Sequence, residues 1–360
     1  GFKQWASEKV VPLFASSFIL EPMSHFLVEQ YRFAISEWLR GHQNFPAEDA
    51  VKRVGHANSI GWMVGHLAEF DQKVWVERVL GDPVTKATKK FGFRREATTP
   101  ELDEVFDQWR AIQDKTSEVM EGLTDEDMVE LPYLFGRQVH QPISMWLLRM
   151  GWHYWYHLGE MQAVRQMLGH ENLPDFVGSM PIEAQWSAAY DFEQKGDLHP
   201  LVEQTRFMKQ KWLDGHEDLS AEDGVRRMGH ANSISWMVGH LANFDQEVWL
   251  ERPRGILVNE AVKACAYMQP ASTPDLNEMM DAWHVIQEKV DEIQAELTAE
   301  DMLVHPGPPG NQSPENLGTL MHRQMWHYWY HLGEMQGIRQ GMGHENLAQY
   351  IGLIPAKFIW

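Results

Sequence analysis

The chain has 360 residues, which is long enough for two domains that each bury a core of their own. Its 51 Asp and Glu residues outnumber 31 Lys and Arg residues, and the formal net charge of -20 disfavours nucleic acids and anionic membranes as partners. A single cysteine, Cys265, excludes an internal disulfide, and no apolar run approaches the roughly 18 to 20 residues that cross a bilayer. These features predict a soluble, cytoplasmic protein.

The sequence repeats itself at a constant offset of 174 residues. RVGHANSIGWMVGHLAEFDQ at 53–72 returns as RMGHANSISWMVGHLANFDQ at 227–246, and HYWYHLGEMQ at 153–162 returns unchanged at 327–336. A repeat of this length has the size of a domain and is much longer than a solenoid unit. We therefore expect two tandem domains, 1–182 and 183–360, which join near residues 181–194.

Hydrophobic periodicity predicts the same four amphipathic helices in each copy, and no segment shows a convincing strand pattern. In the first copy the predicted helices are 24–40, 47–79, 100–121 and 142–168. Two longer connections, 81–98 and 131–141, fit a bundle with crossover loops. The predicted fold class is all-α, with two tandem four-helix bundles related by a pseudo-two-fold axis.

Three histidines of the first copy are predicted to face one bundle core. His153 and His157 are four residues apart on the fourth helix, so their side chains leave the same face about one turn apart. Both fall in an apolar stripe with Trp146 and Met150, and His66 falls in the apolar stripe of the second helix. Three imidazoles are therefore expected to converge.

A buried histidine pair on a helix is more often satisfied by hydrogen bonds than by a metal. Three polar side chains in one apolar seam need partners, however, and one metal ion satisfies all three lone pairs. The same triplet recurs at His240, His327 and His331, which favours the metal interpretation. We predict one divalent ion per copy, hence two per chain.

Three histidine ligands leave at least one coordination position open, as in catalytic rather than closed structural sites. Zinc suits three histidines best, and iron(II) and nickel are also compatible with this ligand set. Glu160 and Glu334 lie one turn after the last histidine of each triplet. They are candidate catalytic residues, either as acceptors for a ligand histidine or as proton shuttles for a water on the metal.

Several other histidines are expected to cap helices or to make core hydrogen bonds. They are His25, His42, His56 and His170, with their counterparts His199, His216, His230 and His344.

SIGWMVGHLAEFDQ followed by HYWYHLGEMQAVRQMLG resembles the DinB and YfiT-like superfamily of metal-binding four-helix bundles, and the resemblance covers both copies. It implies metal ligands at the six histidines of the two triplets. The sequence is also similar to the helical domain of ergothioneine-type sulfoxide synthases, whose matching histidines bind iron.

This resemblance implies a metal-dependent thiol S-transferase, or a related transferase or hydrolase, that acts on a small molecule. Many relatives use bacillithiol, mycothiol or glutathione, and an open metal position lowers the pKa of a bound thiol. The alternative function is a non-catalytic protein that binds a metal or a small ligand. A fourth protein ligand that closes the site would favour this alternative.

Relatives often form two-fold dimers, and a fused duplicate can build the same interface within one chain. We therefore expect an intramolecular pseudo-dimer in a monomeric protein. We also expect the two sites to bind the same metal but different second substrates, because their walls differ in sequence. The differing elements are Glu69 against Asn243, Gly61 against Ser235, and loop 131–141 against the Pro-rich segment 305–317.

Overall fold

The computed structural model describes residues 25–134, 137–187 and 197–351. The described chain is all-α apart from one pair of two-residue strands, Tyr133–Leu134 and Arg137–Gln138, so the predicted fold class is confirmed. It divides into two compact units, residues up to 53 with 58–150, and residues 54–57 with 151 onward. Among these residues no helix has the length and hydropathy needed to cross a membrane.

Four main helices belong to the first copy of the repeat. They are α1 (Phe26–Gly41), α2 (Ile60–Asp71), α3 (Leu102–Glu121) and α4 (Ile143–Met167). The shorter elements are the 3₁₀ turns Ala47–Asp49, Ala87–Phe91, Asp127–Val129 and Ile182–Ala184, the π-helical turn Gln72–Val76 and the short helix Glu77–Leu80. In the first unit, α2 packs against α3 and against the turn Ala87–Phe91.

The helix predicted at 47–79 begins much later than expected. Ser59 caps α2, and its hydroxyl accepts a hydrogen bond from the backbone N–H of Trp62 at 3.2 Å. Before this cap, Gly55 adopts a φ of 54°, which a right-handed helix does not contain. The prediction was therefore wrong for 50–59, because a local cap and a left-handed glycine override the apolar pattern there.

Four main helices of the second copy lie in the second unit. They are α5 (Pro200–Asp214), α6 (Ile234–Asp245), α7 (Leu276–Ala295) and α8 (Leu317–Gly341). The shorter elements are the helices Ala221–Val225 and Arg252–Arg254, the π-helical turn Gln246–Glu251 and the 3₁₀ turns Ala261–Cys265 and Asp301–Leu303. In this unit α6 packs against α7, and α8 packs against α5.

A buried carboxylate joins three of these helices. Asp245, the last residue of α6, has no exposed surface and accepts hydrogen bonds from Gln287 of α7 at 2.6 Å and from Gln324 of α8 at 2.7 Å. The hydroxyl of Tyr328 on α8 donates a third bond at 2.6 Å. Because a buried carboxylate is costly without such donors, this network fixes the register of α6 and α8.

Within the second unit, the carboxyl-terminal part of α4 crosses α8 at backbone contact. A Cβ at Gly159 would overlap the carbonyl oxygen of Tyr330, and a Cβ at Gly333 would overlap that of Tyr156. Gly159 corresponds to Gly333 in the repeat, and Tyr156 corresponds to Tyr330. Each helix therefore uses the same two repeat positions to contact the other, as expected for a local two-fold axis between the two helices.

Further contacts along this helix pair follow the same exchange. The N–H of His56 donates to the carbonyl of Gln340 at 2.9 Å, and the N–H of His230 donates to that of Gln166 at 3.0 Å. Trp152 also stacks on Trp329, with ring centroids 5.5 Å apart.

The compact-unit boundary falls inside α4 because residues 151–167 pack on α8. The domain boundary expected from the repeat, between 182 and 183, remains a prediction. Residues 188–194 of the predicted joint lie outside the described residues.

Candidate metal centre

Two groups of three histidines could each hold a metal ion. The first triplet is His66, His153 and His157, and the second triplet is His240, His327 and His331. In each group the potential ligand atoms lie within 4.8 Å of one another, and all six residues are buried. The histidines selected from sequence spacing are therefore brought together as expected.

In the second triplet, α6 supplies His240, and α8 supplies His327 and His331. The Nε2 atom of His327 lies 3.1 Å from the Nε2 atom of His240 and 3.1 Å from that of His331. The four-residue spacing on α8 aligns the last two rings, and the register of α6 against α8 brings in the third. Three nitrogen atoms thus point at one small volume.

Hydrogen bonds on the outer side of two rings fix which nitrogen carries the proton. The Nδ1 of His240 donates to the carbonyl oxygen of Cys265 at 2.8 Å, and the Nδ1 of His331 donates to the Glu334 carboxylate at 2.7 Å. Neither acceptor has a proton to give, so each Nδ1 must carry one. In the neutral rings both Nε2 atoms then present lone pairs inward.

This arrangement fits a cation better than it fits hydrogen bonding alone. A proton on the Nε2 of His327 could be donated to only one of its two neighbours, so the lone pair of the other Nε2 would still have no donor. One metal ion accepts all three lone pairs. Three nitrogen ligands about 2.1 Å from a tetrahedral zinc ion are separated by roughly 3.4 Å, close to the spacing found here.

Burial keeps His240 and His327 in the neutral form that binds metals. Desolvation lowers the pKa of His240 to about 3, with a further decrease from the charge of His331, while the hydrogen bond to the Cys265 carbonyl opposes it. Desolvation also lowers the pKa of His327 well below its usual range. A ligand set without carboxylates therefore adds no negative charge of its own to the centre.

The residues of the first triplet have the same outer partners. The Nε2 atoms of His153 and His157 are 3.0 Å apart, and the Nδ1 of His157 donates to Glu160 at 2.7 Å. The Nδ1 of His66 donates to the carbonyl oxygen of Phe91 at 2.6 Å. Both copies thus hold one ligand with a backbone carbonyl and another with a buried glutamate.

The carbonyls of Phe91 and Cys265 were not predicted from the sequence. Each ends a 3₁₀ turn that packs over the glycine preceding the ligand histidine, and a Cβ at Gly239 would lie 2.7 Å from the Cys265 sulfur. The recurring Gly-His pair is the signal that could have indicated this close approach. Burial raises the pKa of the Cys265 thiol to about 11, so this cysteine is a structural residue rather than a nucleophile.

Aromatic rings wall the second triplet. Trp236 stacks on His240 with centroids 4.7 Å apart, and Phe244 meets His327 edge to face at 4.7 Å. Tyr330 contacts His331 edge to face at 5.1 Å. These rings restrict the ligand histidines to one orientation and exclude water from their flanks.

Glu160 and Glu334 lie on the outer side of the last ligand ring in each copy. Both are nearly fully buried, at 1% and 2% exposure, and both accept from Nδ1, the ring nitrogen opposite the cluster. Of the two predicted roles, this position favours the acceptor that orients the histidine.

Two of the remaining histidines cap helices, and two others are exposed. His25 and His199 cap helices as predicted, since their Nδ1 atoms accept from the N–H groups of Leu27 at 3.1 Å and Leu201 at 3.2 Å. The prediction for His230 was wrong, because its side chain is exposed and lies 3.9 Å from Glu171. The same prediction was wrong for His56, whose side chain is also exposed and lies 3.3 Å from Glu345.

Comparison with known protein families gives one match. The family described as the DinB superfamily matches residues 30–161 and 172–335, one region in each copy of the repeat. No curated protein and no solved structure matches the chain. The two matched regions together cover most of the chain and include all six histidines of the triplets.

Proposed function

Because this chain belongs to the DinB superfamily, we propose that it binds one divalent metal ion at each histidine triplet and transfers a low-molecular-weight thiol to a small electrophile. The observation that carries the proposal is the convergence of three Nε2 atoms whose lone pairs point at one volume. Zinc is the proposed metal, since neutral imidazoles without a carboxylate suit it well.

The triplet supplies three ligands, which leaves a position for a substrate in four-coordinate geometry. A divalent ion bound there supplies Lewis acidity, which lowers the pKa of a thiol and favours the nucleophilic thiolate. Glu334 and the Cys265 carbonyl keep two of the rings in the tautomer that binds a metal. Trp236 and Phe244 provide apolar walls against which an electrophile can pack.

Elemental analysis tests the metal part of this proposal. We expect two ions per chain in the parent protein and one ion in the variant His240→Ala, because each triplet needs all three ligands. His230→Ala is the matched control, since this exposed histidine lies outside the triplets and should leave two ions bound. Two ions in His240→Ala, or none in the parent, would contradict the assignment.

A turnover screen tests the chemical part. The metal-loaded protein is mixed with bacillithiol, mycothiol or glutathione and a panel of electrophiles, and consumption of the thiol is followed. We expect turnover that is lost when both His66 and His240 are replaced by Ala. Stoichiometric metal without turnover of any thiol would favour the non-catalytic binding protein instead.

A further inference from the structure

An arginine lies one helical turn before the metal-ligand pair of α8. Arg323, His327 and His331 are spaced by four residues, so their side chains leave the same face of the helix. The guanidinium carbon of Arg323 is 5.8 Å from the centroid of the Phe244 ring, and that ring is 4.7 Å from His327. One aromatic side chain therefore contacts both the arginine and a candidate metal ligand.

The surrounding chain holds this guanidinium in place. Its Nε donates to the carbonyl of Val177 at 3.1 Å, and its Nη1 donates to Glu315 at 2.7 Å. Glu315 is only 2% exposed and also accepts from the N–H of Met180 at 2.9 Å. A rigid arginine of this kind loses little side-chain freedom when it binds a ligand.

One nitrogen of Arg323 is available for a ligand. Its Nη2 makes no hydrogen bond with any part of the chain that the structure describes, and 23% of the side chain is exposed. The planar guanidinium matches the geometry of a carboxylate.

The charge balance at the site also favours an anion. Three neutral histidines leave the charge of a bound divalent ion uncompensated at the ligands themselves, and the charge of Arg323 is balanced by its ion pair with Glu315.

We propose that Arg323 binds a carboxylate of the small molecule that occupies the open position of the second triplet, and so selects carboxylate-bearing substrates. This inference rests on the proposed metal site, and it assigns Arg323 a role in substrate recognition. The Nε and Nη1 atoms hold the guanidinium in place, and the Nη2 atom donates a hydrogen bond to the substrate carboxylate.

The test uses the full chain carrying His66→Ala, so that only the second triplet is complete, loaded with Co²⁺ as a spectroscopic probe. The ligands are 3-mercaptopropionate and its neutral amide, together with propionate and propionamide. Coordination of a thiolate is read from the near-ultraviolet charge-transfer band, and binding of the other probes from changes in the visible Co²⁺ bands. Each titration gives a dissociation constant.

We expect each carboxylate to bind about 10-fold to 100-fold more tightly than its amide, the range of one charge-assisted hydrogen bond. In Arg323→Gln this preference should fall by about 10-fold or more, to the preference that the charge of the metal ion alone gives, while Co²⁺ affinity stays within about threefold of the parent. Arg149→Gln is the matched control, because it changes the same position of the disabled first copy and should leave the preference unaltered.

Removing Arg323 alone leaves the buried Glu315 without its ion pair, so Arg323→Gln/Glu315→Gln is measured as well. An unchanged preference in both variants would overturn the inference, as would loss of Co²⁺ binding in both, which would make Arg323 a structural residue. A missing thiolate band would contradict the proposed thiol chemistry, whereas the propionate pair would still decide the role of Arg323.

Discussion

The protonation of Nδ1 in a ligand histidine determines whether its Nε2 can bind a metal. Glu334 and the Cys265 carbonyl hold protons on Nδ1 of His331 and His240, and this leaves Nε2 free for a metal. A carboxylate behind a histidine also makes the ring more basic and restricts its rotation. The buried glutamate should therefore act on metal affinity rather than on proton transfer.

Replacing Glu334 with Ala should lower the metal affinity of the second site about 10-fold to 100-fold, because the ring loses its orienting acceptor. The affinity is measured by competition with a chromophoric zinc chelator in the His66→Ala background. Glu288→Ala, an exposed glutamate on α7, is the control and should leave the affinity unchanged. Equal affinities in the two variants would show that Glu334 has no such role.

The metal ligands were easier to predict from the sequence than the backbone groups that orient them. The spacing of His327 and His331 and the apolar stripes were sufficient to place the triplet in a core, since helix geometry relates sequence to direction. The carbonyl of Cys265 was not predictable, because it reaches His240 through the conformation of a loop 25 residues away. Every residue has a backbone carbonyl, so the residue type does not show which carbonyl will accept a hydrogen bond from a ligand histidine.

At the scale of helices, the crossing of α4 and α8 depends on glycines. Ala at Gly159 would place a Cβ against the Tyr330 carbonyl, and the helices would have to separate. We expect Gly159→Ala to lower the free energy of unfolding by about 3 kcal/mol, the upper end of the usual cost of overpacking. Urea unfolding followed by circular dichroism measures this change.

Gly151 provides the control on the same helix, because a Cβ there meets no atom within 4 Å. Gly151→Ala should raise the free energy of unfolding by about 0.5 to 1 kcal/mol through helix propensity alone. If the two substitutions had the same effect, the crossing would not limit side-chain size at Gly159.

Helix existence was predictable from periodicity, whereas helix boundaries depended on local chemistry. The expected ranges 100–121 and 142–168 lie close to α3 and α4. The predicted start of the second helix was wrong because the helix begins at its cap, Ser59. The Ser59 hydroxyl accepts a hydrogen bond from the backbone N–H of Trp62. At its other end, the π-helical turn Gln72–Val76 carries the helix on to Leu80.

At the scale of the molecule, the two copies should divide their substrates. The inner ligands and the HYWYHLGEMQ segment are identical, so metal binding should match, whereas Glu69 on the helix that carries His66 is replaced by Asn243. Glu69 is fully buried and accepts from the Thr88 hydroxyl at 2.7 Å, so the substitution changes a buried polar contact three residues after His66.

We expect His66→Ala and His240→Ala to differ in their rates toward a set of electrophiles with one thiol, since each retains only one site. Metal content of one ion in each variant is the control for this comparison. Proportional rates across the whole set would show that the copies share one specificity.

Acid should destabilise the protein through buried histidines outside the triplets. Burial lowers the pKa of His199 to about 4, and its Nδ1 caps α5 by accepting from Leu201. Since the unfolded value is near 6.5, the unfolded chain binds more protons between these values. The stabilisation is complete above pH 6.5 and is lost as pH falls toward 4, by up to roughly 2 kcal/mol at pH 5.

His199→Asn keeps a capping oxygen but removes the titration. Unfolding of chelator-treated parent and variant is compared at pH 7.5 and pH 5, so that metal release affects neither. The variant should lose less stability between the two pH values. An equal loss in both proteins would place the acid sensitivity elsewhere.

The crossing of α4 and α8 also implies cooperativity in metal loading. Gly159 adjoins Glu160, Gly333 adjoins Glu334, and these glutamates orient ligand histidines of different triplets. A backbone shift on filling one triplet would therefore move the peptide that packs beside the outer carboxylate of the other. We expect the second metal ion to bind with a different intrinsic affinity from the first, and Gly337→Ala, which loosens this helix pair, to make the two affinities more alike.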